Sequence, residues 1–270
     1  MNIPFWKMHG ASNDFILVDD RAKTFPTEDN TWIAKISARR TGVGCEGIIL
    51  IQPSEKASFR MRFFNPDGNE VEMCGNGARC VAKLAAEINA APEHMSIETI
   101  AGILKAEIVD EDVLLHMTRP TDLKTDLSID VNGRTIVCSF VNTGVPHVVV
   151  LTENLASVAV DTLGRAIRYH DAFAPAGTNA NFVSVTGTET ISVRTYERGV
   201  EAETLACGTG IVASAVILGI LGKVKPPVRV TAASGDILIV GFDVNSSNIG
   251  NVTLLGPAVH VFEGILKYKN

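Results

Sequence analysis

The chain has 270 residues and a formal net charge of −6. That length allows one large domain or two ordinary ones with a well-filled core, and such mild acidity gives no reason to expect nucleic acid or an anionic membrane as partner. Its five cysteines are irregularly spaced, with no C-x-x-C pair and no histidine at zinc-finger spacing, so they read as reduced thiols, neither a disulfide framework nor a structural metal site.

In chain order, the opening "MNIPFWKMHGASNDF" lacks a basic stretch followed by an apolar one, so no secretion signal is expected and the chain reads as cytoplasmic. A first helix is plausible over "TWIAKISARR". "FRMRFFN" alternates as a strand, "NPDG" turns, and a helix opens after Cys74 through "ARCVAKLAAEI". "SIDVNGRTIV" carries Asn132-Gly133 between alternating runs, a hairpin signal because both residues tolerate positive φ. "VDTLGRAIRYH" reads as a further helix. "IVASAVILGIL" (211–221) is so apolar that it must be buried, yet it falls short of the roughly 20 residues that cross a bilayer. The Cys74 and Cys207 helices each end ahead of a proline, Pro92 and Pro226.

Two segments, 59–108 and 191–240, can be laid over each other at an offset of 132–134. Arg62 then falls on Arg194, Asn65 on Glu197, Cys74 on Cys207 and Pro92 on Pro226. Order and spacing persist at an offset of about half the chain, which predicts an internal duplication. The expected fold is α+β, with two similarly folded mixed α/β domains related by a pseudo-two-fold axis and a cleft between them. The boundary is expected near 118–120: residues 1–118 plus a C-terminal strand at about 261–270 form one domain, and residues 119–260 form the other.

Each copy repeats Cys-Gly-polar-Gly at the mouth of a helix, "CGNG" and "CGTG". A cysteine there sits among unpaired backbone N–H groups at the positive helix end, which favours thiolate over thiol, and the same N–H groups suit a carboxylate. Two such sulfurs facing one α-carbon would invert it without a cofactor, one removing a proton and the other delivering one. The N–H groups would hold the charge that spreads onto the carboxylate. "GTGIVA" matches the dinucleotide G-x-G-x-x-A pattern only weakly, because no clear βαβ unit surrounds it, and no phosphate loop of the G-x-x-x-x-G-K-[ST] type occurs.

Several ordered motifs resemble the diaminopimelate epimerase family: "KMHGASNDFILVD", "RRTGVGCEG", "FFNPDGNEVEMCGNGARC", "NTGVPH", "GTNANFVSV" and "YERGVEAETLACGTG". The resemblance implies a pyridoxal-independent isomerase that converts LL-diaminopimelate to the meso form in the lysine and cell-wall precursor pathway, with no cofactor or metal and as a homodimer. It implies that Cys74 and Cys207 are the acid–base pair, and that Gly75, Asn76, Gly208 and Thr209 hold the reacting carboxylate and amine. It further implies substrate contacts from Asn13, Asn65, Asn179, Glu197 and Arg198, with His147 and Glu197 tuning the thiols. Read alone, each has a plainer role: Asn13 and Asn65 as turn residues, Glu197 with Arg198 as a solvated pair, and His147 as a satisfied histidine. Cys45, Cys80 and Cys138 read as small buried residues.

Two departures bear on the substrate. Val145 stands where the family commonly has asparagine, and the segment before Cys207 is one residue longer than the commonest form. Two alternatives stay open: a related cofactor-independent racemase or isomerase with another substrate, and a non-catalytic carboxylate-binding or thiol-redox protein.

Overall fold

Alternating and continuous apolar runs set the strands of the protein, a computed structural model that describes residues 1–245 and 248–269. Strands β1 (Asn2–Gly10) and β2 (Asn13–Asp19) form an antiparallel hairpin with Gly10 opposite Asn13. Its turn residues Ala11 and Ser12 both take positive φ, at 53° and 64°. Helix α1 (Asn30–Ser37) is capped by the Asp29 carboxylate, which accepts from the Trp32 amide. It leads to β3 (Gly47–Gln52), buried throughout and parallel to β2. β4 (Phe59–Phe64) runs back along β3. A turn at Asn65–Gly68, with Gly68 at φ +89°, then folds the two-residue β5 (Glu70–Val71) onto β4. Helix α2 (Gly75–Glu87) crosses to β6 (His94–Thr99), parallel to β4, and β7 (Gly102–Val109) and β8 (Asp112–His116) follow.

The same order of pairings recurs further on. β9 (Thr121–Val131) and β10 (Arg134–Asn142) form the expected hairpin through Asn132-Gly133, at φ 55° and 77°. β11 (Pro146–Leu151) is antiparallel to β10. Helix α3 (Val160–Arg168) crosses to β12 (Asn179–Gly187), parallel to β11. β13 (Thr190–Glu197) returns antiparallel, and the short β14 (Ala202–Thr204) folds onto it. Helix α4 (Gly208–Ile220) crosses to β15 (Val228–Thr231), parallel to β13. β16 (Ile237–Asn245), β17 (Asn248–Pro257) and β18 (Val259–Lys267) complete the chain, and β18 pairs antiparallel with β1.

The chain divides into two units, one of Met1–Leu115 with Gly256–Asn270 and one of His116–Leu255. β1 to β7 with α1 and α2 repeat the pairing order of β10 to β16 with α3 and α4. On β1, β18 takes the place that β9 holds on β10. The fold is therefore a twice-built α+β arrangement, as the repeat in the sequence implies. In the first unit Ile3, Phe5, Ile16, Ile33, Ile48 and Leu266 share one core. In the second, Ile129, Val148, Ile167, Phe182 and Tyr196 share another. α4 buries every residue from Gly210 to Leu218, which is why its sequence shows no polar face. Among the described residues no helix is long and apolar enough to cross a membrane.

Candidate active site

Each repeated cysteine is the N-cap of the helix that follows it. Cys74 takes an extended backbone (φ −130°, ψ 124°) before α2, and its carbonyl accepts from the Ala78 amide at 2.8 Å. Cys207 does the same before α4 (φ −115°, ψ 106°), accepting from Ile211 at 2.9 Å. The first amides of each helix have no intrahelical acceptor, so both sulfurs stand beside backbone donors at a positive helix end.

In the first unit, the Cys74 thiol donates to Asn13 Oδ1 at 3.6 Å, and Asn76 Nδ2 donates to the same oxygen at 3.3 Å. Asn13 Nδ2 donates to the Glu46 carboxylate, which can only accept, so the Asn13 amide is turned with its oxygen toward the sulfur. Asn76 is set in the same way. Arg79, fully buried, donates from Nη2 to Asn76 Oδ1 at 2.9 Å and from Nε to the Pro257 carbonyl at 3.2 Å. Burial and the neighbouring Asp14 push the Glu46 carboxyl above its usual range. Arg39, ion-paired to both Asp14 and Glu46, ties these groups together.

In the second unit, a chain of hydrogen bonds leads to the sulfur. Asn181 Nδ2 donates to the Val148 carbonyl at 2.8 Å, which settles its amide orientation, and the same nitrogen reaches His147 Nδ1 at 3.1 Å. Burial, with help from the Arg198 charge, pushes His147 down to about 3, so its ring is neutral. With Nδ1 accepting, the ring proton sits on Nε2 and is donated to Thr209 Oγ1 at 2.9 Å. The Thr209 hydroxyl is in turn hydrogen-bonded to Cys207 Sγ at 3.6 Å, and either atom can be the donor. A neutral histidine thus holds a hydroxyl against the sulfur, and when that hydroxyl donates it favours thiolate.

The remaining sequence-chosen residues are held by contacts of their own. Asn65 anchors the turn before β5: its amide donates to Asn69 O and its carbonyl accepts from Gly68 N, both at 2.9 Å. Asn179 is buried and binds backbone on both sides, donating to Pro146 O at 2.9 Å and accepting from the Arg198 amide at 2.8 Å. The Arg198 guanidinium donates to Ala176 O at 3.2 Å, and Glu197 accepts from the Thr204 hydroxyl at 2.9 Å. Asn13, Cys74, Gly75 and Asn76 are brought together in the first unit. His147, Cys207, Gly208 and Thr209 come together in the second, with Asn179 and Arg198 tied to each other beside Pro146. Glu46, Arg79 and Asn181 escaped the sequence reading. Arg79 alone left a trace, as a charged residue inside an apolar helical run. Cys80 is fully buried and pushed up to about 12, and burial also raises Cys138 to about 11, so neither suits proton transfer near neutrality.

Gly210 and Gly75 are not equivalent. A Cβ on Gly210 would lie 2.2 Å from Asn181 Oδ1 and 3.4 Å from Cys207 Sγ, whereas one on Gly75 would meet nothing within 4 Å. Gly210→Ala is therefore expected to cost about 1–3 kcal/mol by overpacking, and Gly75→Ala less than about 0.5 kcal/mol, in urea unfolding. Equal costs at the two positions would contradict this packing.

The fold is similar to that of a phenazine biosynthesis protein of the PhzF family from Bacillus anthracis. The TM-score is 0.73 at 18% identity, covering 99% of this chain and 100% of that one, a likeness of fold alone. The family model for diaminopimelate epimerase matches residues 5–123 and 139–261. The diaminopimelate epimerase of Aquifex aeolicus (strain VF5) is 42% identical over 274 residues, with 97% of each chain covered. That of Archaeoglobus fulgidus is 41% identical over 281 residues, covering 99% of this chain and 97% of its own. The chain belongs to the diaminopimelate epimerase family, and is accordingly an isomerase of the epimerase type.

Proposed function

We propose that the chain inverts one α-carbon of LL-diaminopimelate to give the meso isomer, without a cofactor, using Cys74 and Cys207 as a two-base pair in two epimerase domains. The observation that carries this reading is the repetition: each unit caps a helix with a cysteine set among fixed polar partners. One sulfur, as thiolate, takes the α-proton and becomes a thiol, while the other, as thiol, gives its proton to the opposite face and becomes the thiolate. The substrate gains and loses one proton, and the charge that passes through its carboxylate is held by the first-turn amides at Gly75, Asn76, Gly208 and Thr209.

In this reading Asn13, Asn65, Asn179, Glu197 and Arg198 meet the substrate. The Arg198 guanidinium suits its distal carboxylate. Asn179 has one amide hydrogen left after binding Pro146, enough for one contact. His147 acts on Cys207 through Thr209, and Glu197 is the second tuning group. Val145 supplies an apolar wall in place of a polar contact. A homodimer in the cytoplasm, serving lysine and cell-wall precursor synthesis, completes the reading. Incubation with LL-diaminopimelate, then with L-proline, followed by chiral separation tests it. Formation of the meso isomer with L-proline untouched is expected, and inversion of proline with diaminopimelate unchanged would overturn it.

A further inference from the structure

Both cysteines are preceded by the same ion pair. Glu70 stands four residues before Cys74, and Glu203 four residues before Cys207. Glu70 lies opposite Phe64 in the β4–β5 ladder and Glu203 opposite Tyr196 in the β13–β14 ladder. In each case the arginine two residues before that aromatic, Arg62 or Arg194, lies on the same strand face. Arg62 grips Glu70 through Nε at 2.9 Å and Nη2 at 2.6 Å, and Arg194 grips Glu203 through the same two atoms at 2.7 Å each. All four side chains are only 20–25% exposed. The fork against the carboxylate holds Glu70 below its usual range, with the Arg62 hydrogen bond as the main cause.

The rest of this segment has diverged. Outside the turn of unequal length, residues 59–79 and their counterparts agree at Arg62/Arg194, Glu70/Glu203, Cys74/Cys207, Gly75/Gly208 and Gly77/Gly210, and at no other position. Asn65 faces Glu197, Asn76 faces Thr209 and Arg79 faces Val212. The clamp has thus been kept in both copies together with the cysteine turn, while the groups around each sulfur have become different. Its geometry gives a reason. β5 and β14 hold the approach to each sulfur by only two and three ladder pairs, too few to fix a thiol to the fraction of an ångström that proton transfer needs. A bidentate pair at the root of the loop supplies the missing constraint, and it neutralises a carboxylate that would otherwise oppose a thiolate nearby.

We propose that Arg62–Glu70 and Arg194–Glu203 are twin positioning devices, each setting the place of the sulfur that follows it. This rests on reading Cys74 and Cys207 as the acid–base groups. The test is site-resolved alkylation of the full chain with iodoacetamide, read by peptide mass spectrometry, in Glu70→Gln and Glu203→Gln. Glu70→Gln is expected to change the Cys74 rate at least about fivefold and the Cys207 rate less than about twofold, and Glu203→Gln the reverse. Arg62→Glu combined with Glu70→Arg is expected to restore the Cys74 rate. Turnover of LL-diaminopimelate is expected to fall about tenfold or more in kcat with KM nearly unchanged. Native alkylation rates at both cysteines, or equal changes at both, overturn the proposal. If a glutamine variant does not fold, Arg62→Lys and Arg194→Lys, which keep the charge and lose the fork, are read by the same criteria. Should the native chain leave diaminopimelate unchanged, the functional reading fails, while the alkylation pattern still decides the positioning role.

Discussion

Cys74→Ser and Cys207→Ser are each expected to lower kcat about a hundredfold or more, with the fold intact by circular dichroism. The reason is acidity. A thiol near a helix mouth ionises within reach of neutral pH, whereas a serine hydroxyl in the same place does not, so half of the proton exchange is lost with either change. Size and burial hardly alter, since the substitution exchanges one small atom. Cys80→Ser provides the contrast: it lies a turn and a half further along α2, fully buried, with its thiol pushed up to about 12. That variant is expected to affect stability and leave turnover close to native, because the buried thiol keeps its proton near neutral pH and does not ionise. Steady-state kinetics of the three variants separates the cases. Near-native kcat in either Cys74→Ser or Cys207→Ser would show that its sulfur carries no proton.

A second large effect is expected in the pH dependence of stability. His147 is held down to about 3 in the folded chain by burial first and by Arg198 second, against about 6.5 in an unfolded chain. Between those values the unfolded state binds a proton that the folded state refuses, so folding stability falls as pH drops from about 6.5 toward 3. The slope from this one group is about 1.4 kcal/mol per pH unit, and the total over the window is about 5 kcal/mol. Above pH 7 the contribution is fully present and no longer changes. Urea unfolding at pH 7.5, 6.5 and 5.5 is expected to show this loss, and His147→Gln to flatten it. An unchanged slope in His147→Gln would mean that the imidazole takes up its proton as readily in the folded chain as in the unfolded one, and the neutral ring assigned to the contact with Thr209 would fail with it.

Much of the fold was legible because its signals are local. Asn132-Gly133 demands positive φ at both residues and makes its hairpin, and the apolar run after Cys207 has no polar face and is buried all round. The duplication was legible because the cysteine turns and Arg62/Arg194 keep their spacing. The sites were legible only in part. A cysteine before Gly-x-Gly announces a helix mouth, but the groups that set its surroundings arrive from distant segments: Asn13 from the start of β2, Asn181 from β12, and Glu46 from the loop before β3. Nothing in sequence spacing tells which way an asparagine amide faces. That depends on Glu46 and Arg79 in the first unit and on the Val148 carbonyl in the second. Asn179 illustrates the converse, since a residue chosen for the substrate also holds two backbone segments in place. The ion pairs ahead of the cysteines were half visible. The arginines aligned at once, but the turn of unequal length between Asn65 and Cys74 hid the match of Glu70 with Glu203.

The most direct test of two-sulfur proton exchange is the fate of the α-hydrogen when LL-diaminopimelate is converted in deuterium oxide and sampled early. With one sulfur removing and the other delivering, the meso product carries deuterium at the inverted carbon while the recovered LL substrate remains protonated. Deuterium entering the recovered substrate as fast as the product forms, or a product that keeps its original hydrogen, would mean that a single group handles both transfers.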